Sequence, residues 1–296
     1  MSLPQRIAIT GASGLIGTAL VGHLKSEGHT VQRLVRRNVV APDEIQWDPK
    51  TGFVDIDALR GVDAVIHLAG VGVGDKRWNK KYKAEILNSR LLGTTAIAKA
   101  VNEVKPQVFI SASAIGWYGE SGNRAVVEAD RVGDDFLAAV CREWEGAADI
   151  ATDVRTVKLR TGLVLDPTGG ALGKMLPLFR LGLGGKLGSG KQWWSWITLH
   201  DVIRAITFLL EHKVSGPVNL TSPNPVTNQE FTSALARAMH RPALFPAPAI
   251  ALKIALGGFS SEVLGSKKVI PQALTDAGFT WDYPHITNAL NALIQE

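Results

Sequence analysis

The chain has 296 residues, 46% hydrophobic and 20% charged, enough to build a large core and too apolar for a disordered, collagen-like or coiled-coil protein. Its 32 Lys and Arg against 27 Asp and Glu give a net charge of +5, spread along the chain rather than gathered into a basic stripe, so no nucleic-acid partner is expected. One cysteine, Cys141, excludes an internal disulfide and a cysteine-rich metal site, and with no targeting segment or 18-residue apolar span we expect a cytoplasmic protein with no membrane partner.

Ile7–Thr10 reads as a strand, Leu15–Ser26 as a helix ended by Gly28, and Thr30–Val35 as a second strand. Asp63–Leu68 is a third strand, followed by a long helix over about Lys80–Val104. A strand at Gln107–Ser111, a helix at Asp134–Ile150 and a strand at Thr156–Leu165 complete the alternation. Strands separated by crossover-length helices predict an α/β fold with a doubly wound parallel sheet, that is, a Rossmann fold. Thr168–Gly190, with eight glycines, reads as an irregular loop over a site. Leu199–Glu211 follows as a helix and Pro217–Thr221 as a short strand, and the tail is mostly helical, over Gln229–Met239, Ile250–Leu256 and Pro284–Ile294. The expected organisation is a dinucleotide-binding domain over residues 1–165, to which 196–222 return. Residues 166–195 and 223–296 would form a smaller, mainly helical substrate domain.

Gly11-Ala12-Ser13-Gly14-Leu15-Ile16-Gly17 lies between the first strand and the first helix. The bare glycine spacing is weak, but in that context glycines let the backbone approach a pyrophosphate, and the helix N-terminus offers it free N–H groups. An NAD site places a carboxylate at the end of the second strand, whereas here the strand ends in Arg36-Arg37. A guanidinium there clamps a 2′-phosphate, so NADP(H) is the expected cofactor.

Gly11–Gly17, His67-Leu68-Ala69-Gly70, Ser111-Ala112-Ser113 and Trp117-Tyr118-Gly119 resemble, in that order, the extended short-chain dehydrogenase/reductases. Lys76-Arg77-Trp78, Ser89-Arg90, Trp144-Glu145, Arg160-Thr161-Gly162, Ser195-Trp196-Ile197 and Asn219-Leu220-Thr221 are similar to the atypical, sugar-nucleotide epimerase-like family. The tail, Lys268–Gln272 through Tyr283-Pro284, is similar to its C-terminal domain of unknown function. The resemblance implies a cofactor held by Gly11, Ser13, Gly14, Leu15, Ile16, Gly17, Arg36 and the backbone of Leu68, Ala69 and Gly70. It also implies that Arg160–Leu163 lie beside the nicotinamide, and that the long helix presents Glu85 and Arg90 to the cofactor.

Reductases of the wider superfamily use a Tyr-x-x-x-Lys pair, whose positions here are Phe136 or Leu137 and Val140 or Cys141. An arginine that commonly binds the diphosphate of a nucleotide sugar is also missing near Trp194. An unassisted tyrosine is a poor base but still an acid, so reduction survives the loss of Lys better than oxidative epimerisation. Tyr118 as proton donor, Ser113 as carbonyl-orienting hydrogen bonder and Arg90 as stabiliser of oxyanion charge are the catalytic candidates, Arg90 serving equally to bind a cofactor phosphate. The expected function is NADP(H)-dependent reduction of a small carbonyl or enone substrate. The alternative is a non-catalytic NADP(H) sensor, and a nucleotide-sugar epimerase ranks third. Trp78, Trp117, Trp193, Trp194 and Trp196 either line an aromatic pocket or pack the lid. The histidines have no metal-ligand spacing, so no metal is expected, and a homodimer is compatible with these features.

Overall fold

The structure, a computed structural model, describes residues 3–295. An eight-stranded sheet organises it, built from β1 (Arg6–Thr10), β2 (Thr30–Val35), β3 (Glu44–Asp48), β4 (Phe53–Val54), β5 (Ala64–His67), β6 (Val108–Ala114), β8 (Arg155–Thr161) and β12 (Gly216–Leu220), with the two-residue β7 (Ala125–Val126) outside it. The order is β12-β8-β6-β5-β1-β2-β3-β4, parallel throughout except between β3 and β4. Strands buried on both faces need continuous apolar runs, and Ile7, Ala8 and Ile9 of β1 and Ala64, Val65 and Ile66 of β5 are all fully buried. Helix α1 (Leu15–Ser26) covers one face through Leu20 and Leu24, with α6 (Leu199–Glu211) beside it. The short α2 (Ile56–Leu59), α3 (Lys80–Val104) and α4 (Phe136–Ala148) cover the other.

Chain order runs outward from β1 through β2 and β3, then returns to β5 on the opposite side of β1. That reversal opens a crevice at the carboxyl ends of β1 and β5, where ligands bind in sheets of this kind.

The expected strand Thr156–Leu165 is two strands. Gly162 breaks it between β8 and β9 (Leu163–Asp166), because a Cβ at 162 would lie 2.6 Å from the Ser195 carbonyl oxygen. β8 keeps to the main sheet, while β9 turns away to pair with β11 (Trp196–Thr198). The glycine-rich stretch read as irregular contains a helix, α5 (Gly170–Arg180), with Leu172, Leu176 and Phe179 buried at helical spacing. Around them α7 (Asn228–Ala238) and α11 (Ile286–Gln295) form a second core with Trp196 and Phe231. β10 (Trp193–Trp194) pairs with β13 (Val226–Thr227) beside that core. The remaining elements are α8 (Ala249–Leu256), α9 (Ser260–Leu264), β14 (Lys268–Val269) and α10 (Gln272–Asp276). β14 pairs in parallel with β7, which ties the tail to the first half of the chain.

Candidate active site

The crevice begins at the glycine loop. Gly11 has φ +70°, and a Cβ there would lie 2.8 Å from the Leu68 carbonyl carbon, so the loop after β1 is pressed against the loop after β5. A Cβ on Gly17 would come within 2.1 Å of the Gly11 oxygen, which leaves glycine alone at both positions. Ser13 and Gly14 are exposed and Leu15 and Ile16 half-buried. Gly14 caps α1 with no side-chain hydrogen bond, so the first N–H groups of the helix remain for an anion.

The loop Leu68-Ala69-Gly70 is fixed from below by Thr10, whose hydroxyl oxygen accepts from the Leu68 and Ala69 N–H groups at 3.1 and 3.3 Å. The same hydroxyl shares a hydrogen bond of 2.7 Å with Nδ1 of His67. His67 is wholly buried with its edge against Trp47, and burial holds its pKa down to about 3, so it is a neutral wall of the crevice.

At the end of β2 the arginines divide. Arg33 pairs with Asp43 at 2.8 Å and Arg37 donates to Glu44 at 2.8 Å, while the exposed Arg36 has no carboxylate partner among the described residues. Thr10 and Leu34 are register partners, so Arg36 lies two residues past the strand position facing the start of the glycine loop. The unpaired guanidinium and the uncapped helix end are a donor set suited to phosphates.

Beneath the far side of the crevice lies a buried polar network. Ser113 and Arg160 are register partners on β6 and β8 and share one face of the sheet, which α4 covers with Glu145. Glu145 accepts from Ser113 Oγ at 2.7 Å and from Arg160 Nε and Nη2 at 2.8 and 2.9 Å. Arg160 Nη1 donates to the Tyr118 hydroxyl at 3.1 Å, and that hydroxyl donates to Asn219 Oδ1 at 2.6 Å. Asn219 Nδ2 in turn donates to the Ile270 carbonyl at 2.9 Å. Trp117 lies under the Arg160 guanidinium at 3.9 Å. Burial pushes the Tyr118 phenol up to about 12, so it stays protonated, and its proton is held by Asn219.

Arg90 stands apart from this network. It is buried against Trp144 at 4.7 Å and Gly70, donates through Nη1 to the Val71 and Ile86 carbonyls, and has no carboxylate partner among the described residues. Burial lowers its pKa, and the Trp144 indole N–H beside it has no acceptor among the described residues. The helix does not bring Glu85 to the same face: that side chain is exposed and lies 3.5 Å from Lys76. Leu163, on β9, packs with the second core.

Leu137 and Cys141, one helical turn apart, press against Gly116 at 3.3 and 3.4 Å from the place of its missing Cβ. Phe136 and Val140 turn the other way, toward Tyr82 and Ile86. Burial raises the Cys141 thiol to about 12, which makes it inert. The tryptophans disperse rather than converge. Trp78 packs between Phe136 and Phe259, Trp193 lies under Lys268, and Trp194 and Trp196 join the second core. His200, Asp201 and Asp282 form a cluster, but Asp201 spends both oxygens on the Asp282 and Tyr283 backbone N–H groups, so it acts as a clamp between α6 and the tail.

Sequence reasoning overlooked Glu145 and Asn219 as partners of the candidate residues. The signal was Arg160 itself, since a guanidinium directly after the core positions Val157 and Leu159 on an inner strand demands a buried carboxylate.

The family model described as NAD dependent epimerase/dehydratase matches residues 7–135, and a domain of unknown function matches 247–293. An epimerase family protein of Mycobacterium leprae is 44% identical over 96% of this chain and 94% of its own. A human epimerase family protein, SDR39U1, solved with NADPH, superposes with a TM-score of 0.91 at 33% identity over 98% of this chain and 99% of its own. A structure described as a nucleoside-diphosphate sugar epimerase of Corynebacterium glutamicum is 36% identical with a TM-score of 0.80, over 99% of this chain and 59% of that one.

Proposed function

The chain belongs to the NAD-dependent epimerase/dehydratase family, and from that premise we propose that it binds NADP(H) and reduces a small carbonyl or enone substrate. The observation that carries the cofactor half of this reading is Arg36. With Arg33 and Arg37 committed to Asp43 and Glu44, it alone of the three offers an unspent guanidinium beside the glycine loop. A 2′-phosphate fits that position, and the human relative solved with NADPH supports the same choice.

The cofactor supplies hydride when bound; the chain's own residues do the rest. The first turn of α1 and Arg36 neutralise phosphate charge. Arg90, buried without a counter-ion beside the Gly70 backbone, neutralises the negative charge that develops on a substrate oxygen during reduction. Ser113 and Tyr118 act as positioning residues. Their protons are already given to Glu145 and Asn219, so their part is to hold β6, β8 and β12 in register below the substrate. Leu137 and Cys141 offer neither a base nor a cation, so oxidative epimerisation has no proton acceptor at the customary place.

The same spent hydrogen bonds favour one second reading, a binding protein that senses NADP(H) without turnover. A fluorescence titration with NADPH and NADH, repeated on Arg36→Ala, tests the cofactor reading. Loss of a guanidinium–phosphate pair is expected to weaken NADPH by about 10- to 100-fold, equivalent to about 1.5–3 kcal/mol, and to leave NADH unchanged. Equal affinity for the two cofactors in the unaltered protein sinks it. NADPH consumption across a panel of carbonyls and enones then separates enzyme from sensor.

A further inference from the structure

Helix α8 has the sequence Ala-Ile-Ala-Leu-Lys-Ile-Ala-Leu, yet none of its residues is buried. Helices in water normally turn such an apolar stripe into a core. Ile250 and Ile254, one turn apart on the same face, are 74% and 68% exposed. The approach to this helix carries exposed Leu244 and Phe245, and the end of α5 carries exposed Leu178, Leu181 and Leu183. These two stretches, some sixty residues apart in sequence, are joined by a short backbone ladder. Phe245 N donates to the Gly184 carbonyl, Ala247 N to that of Lys186, and Gly188 N to that of Ala247. Seven of the twelve large, exposed apolar side chains among the described residues therefore lie in these two adjoining stretches.

The charges within these two stretches are of one sign. Residues 167–200 contain Lys174, Arg180, Lys186 and Lys191 and no Asp or Glu. Residues 231–261 contain Arg237, Arg241 and Lys253 and again no carboxylate. A second copy of this chain would set cations against cations, and a protein partner would find no acid here for its own Lys or Arg. Alkyl and aromatic side chains interleaved with unpaired cations are complementary to an interface that is apolar beneath and negative above. We propose that this face docks on an anionic lipid bilayer, with Ile250, Ile254, Leu244 and Phe245 entering the acyl boundary and Lys253, Arg180 and Arg241 meeting the headgroups. Lys253, exposed on the same helix, suits that role, because a lysine stem can lie along apolar surface while its ammonium reaches the phosphates. The expectation of no membrane partner rested on the lack of a spanning segment, which leaves an interfacial surface assembled from two distant stretches unaddressed.

The test is co-sedimentation of the full chain with vesicles of mixed phosphatidylglycerol and phosphatidylcholine, against vesicles of phosphatidylcholine alone. We expect at least tenfold tighter binding to the anionic vesicles. It should fall at least tenfold in Ile250→Asp/Ile254→Asp and lose its lipid preference in Arg180→Glu/Lys253→Glu. Leu92→Asp, an exposed apolar position on α3, should bind like the unaltered protein, and circular dichroism should give the same helix content for every variant. No binding, equal binding to both lipids, or unaltered binding by the isoleucine variant overturns the proposal. So does a dimer that the isoleucine variant dissolves while vesicles are ignored, or binding to soluble polyglutamate but not to vesicles.

Discussion

Replacing Glu145 with Gln removes one charge from the buried network at almost constant volume. Three hydrogen bonds of 2.7–2.9 Å end on this carboxylate, and both Glu145 and Arg160 are at most 4% exposed. The variant leaves the Arg160 guanidinium out of water with no counter-charge, which costs about 3–5 kcal/mol. Unfolding entropy of about 2.1 cal/mol/K per residue gives about 0.6 kcal/mol/K for 296 residues, so the melting temperature should fall by about 5–8 °C. Scanning calorimetry and urea unfolding followed by tryptophan fluorescence measure it. If the loss comes from the orphaned charge, Glu145→Leu/Arg160→Met should recover at least half of it, since an apolar pair carries no desolvation debt. A melting temperature within about 2 °C of the unaltered protein for Glu145→Gln, or a double variant worse than the single one, refutes the argument.

His67 titrates at about 3 in the fold against about 6.5 unfolded, so the native state binds fewer protons in between. Its contribution is complete above pH 6.5 and is lost as pH falls toward 3, at about 1.4 kcal/mol per unit. The urea midpoint of His67→Gln should therefore depend less steeply on pH between 4.5 and 6.5, and parallel curves would count against the burial argument. The Cys141 thiol, raised to about 12, should ignore Ellman's reagent at pH 8 until guanidinium chloride unfolds the chain; native labelling within minutes would contradict its packing. Tyr118→Phe strips Asn219 Oδ1 of its donor and should cost about 1–3 kcal/mol of stability while leaving NADPH affinity and any turnover unchanged. A loss of kcat of about 100-fold or more would instead restore Tyr118 as the proton donor.

The dinucleotide crevice was legible because its determinants are local: a strand, a glycine loop and a helix start in one run of twenty residues, with Arg36 a fixed distance beyond. The second core was less so. α5 hides in a stretch whose glycines suggest a loop, because Leu172, Leu176 and Phe179 signal a helix only to a partner surface sixty residues further on. The network under the crevice was least visible. Ser113, Tyr118 and Arg160 stood out one by one, but hydrogen-bond ownership depends on register, and only the pairing of Ser113 with Arg160 across β6 and β8 reveals that Glu145 serves both.

The position of β12 bears on how the chain can be divided. The two family models mark two modules, residues 7–135 and 247–293, with a stretch between that neither covers. Yet β8 and β12 both come from that stretch, and they cover the flank of β6, whose Val108, Phe109 and Ile110 lie in the middle of the sheet. A fragment ending near residue 135 would leave the seven residues of β6, with the apolar run Val108, Phe109 and Ile110, as a bare edge open to pairing with its own copies. The intervening stretch thus works as the molecule's guard against aggregation, and a truncation drawn at the module boundary should yield insoluble protein.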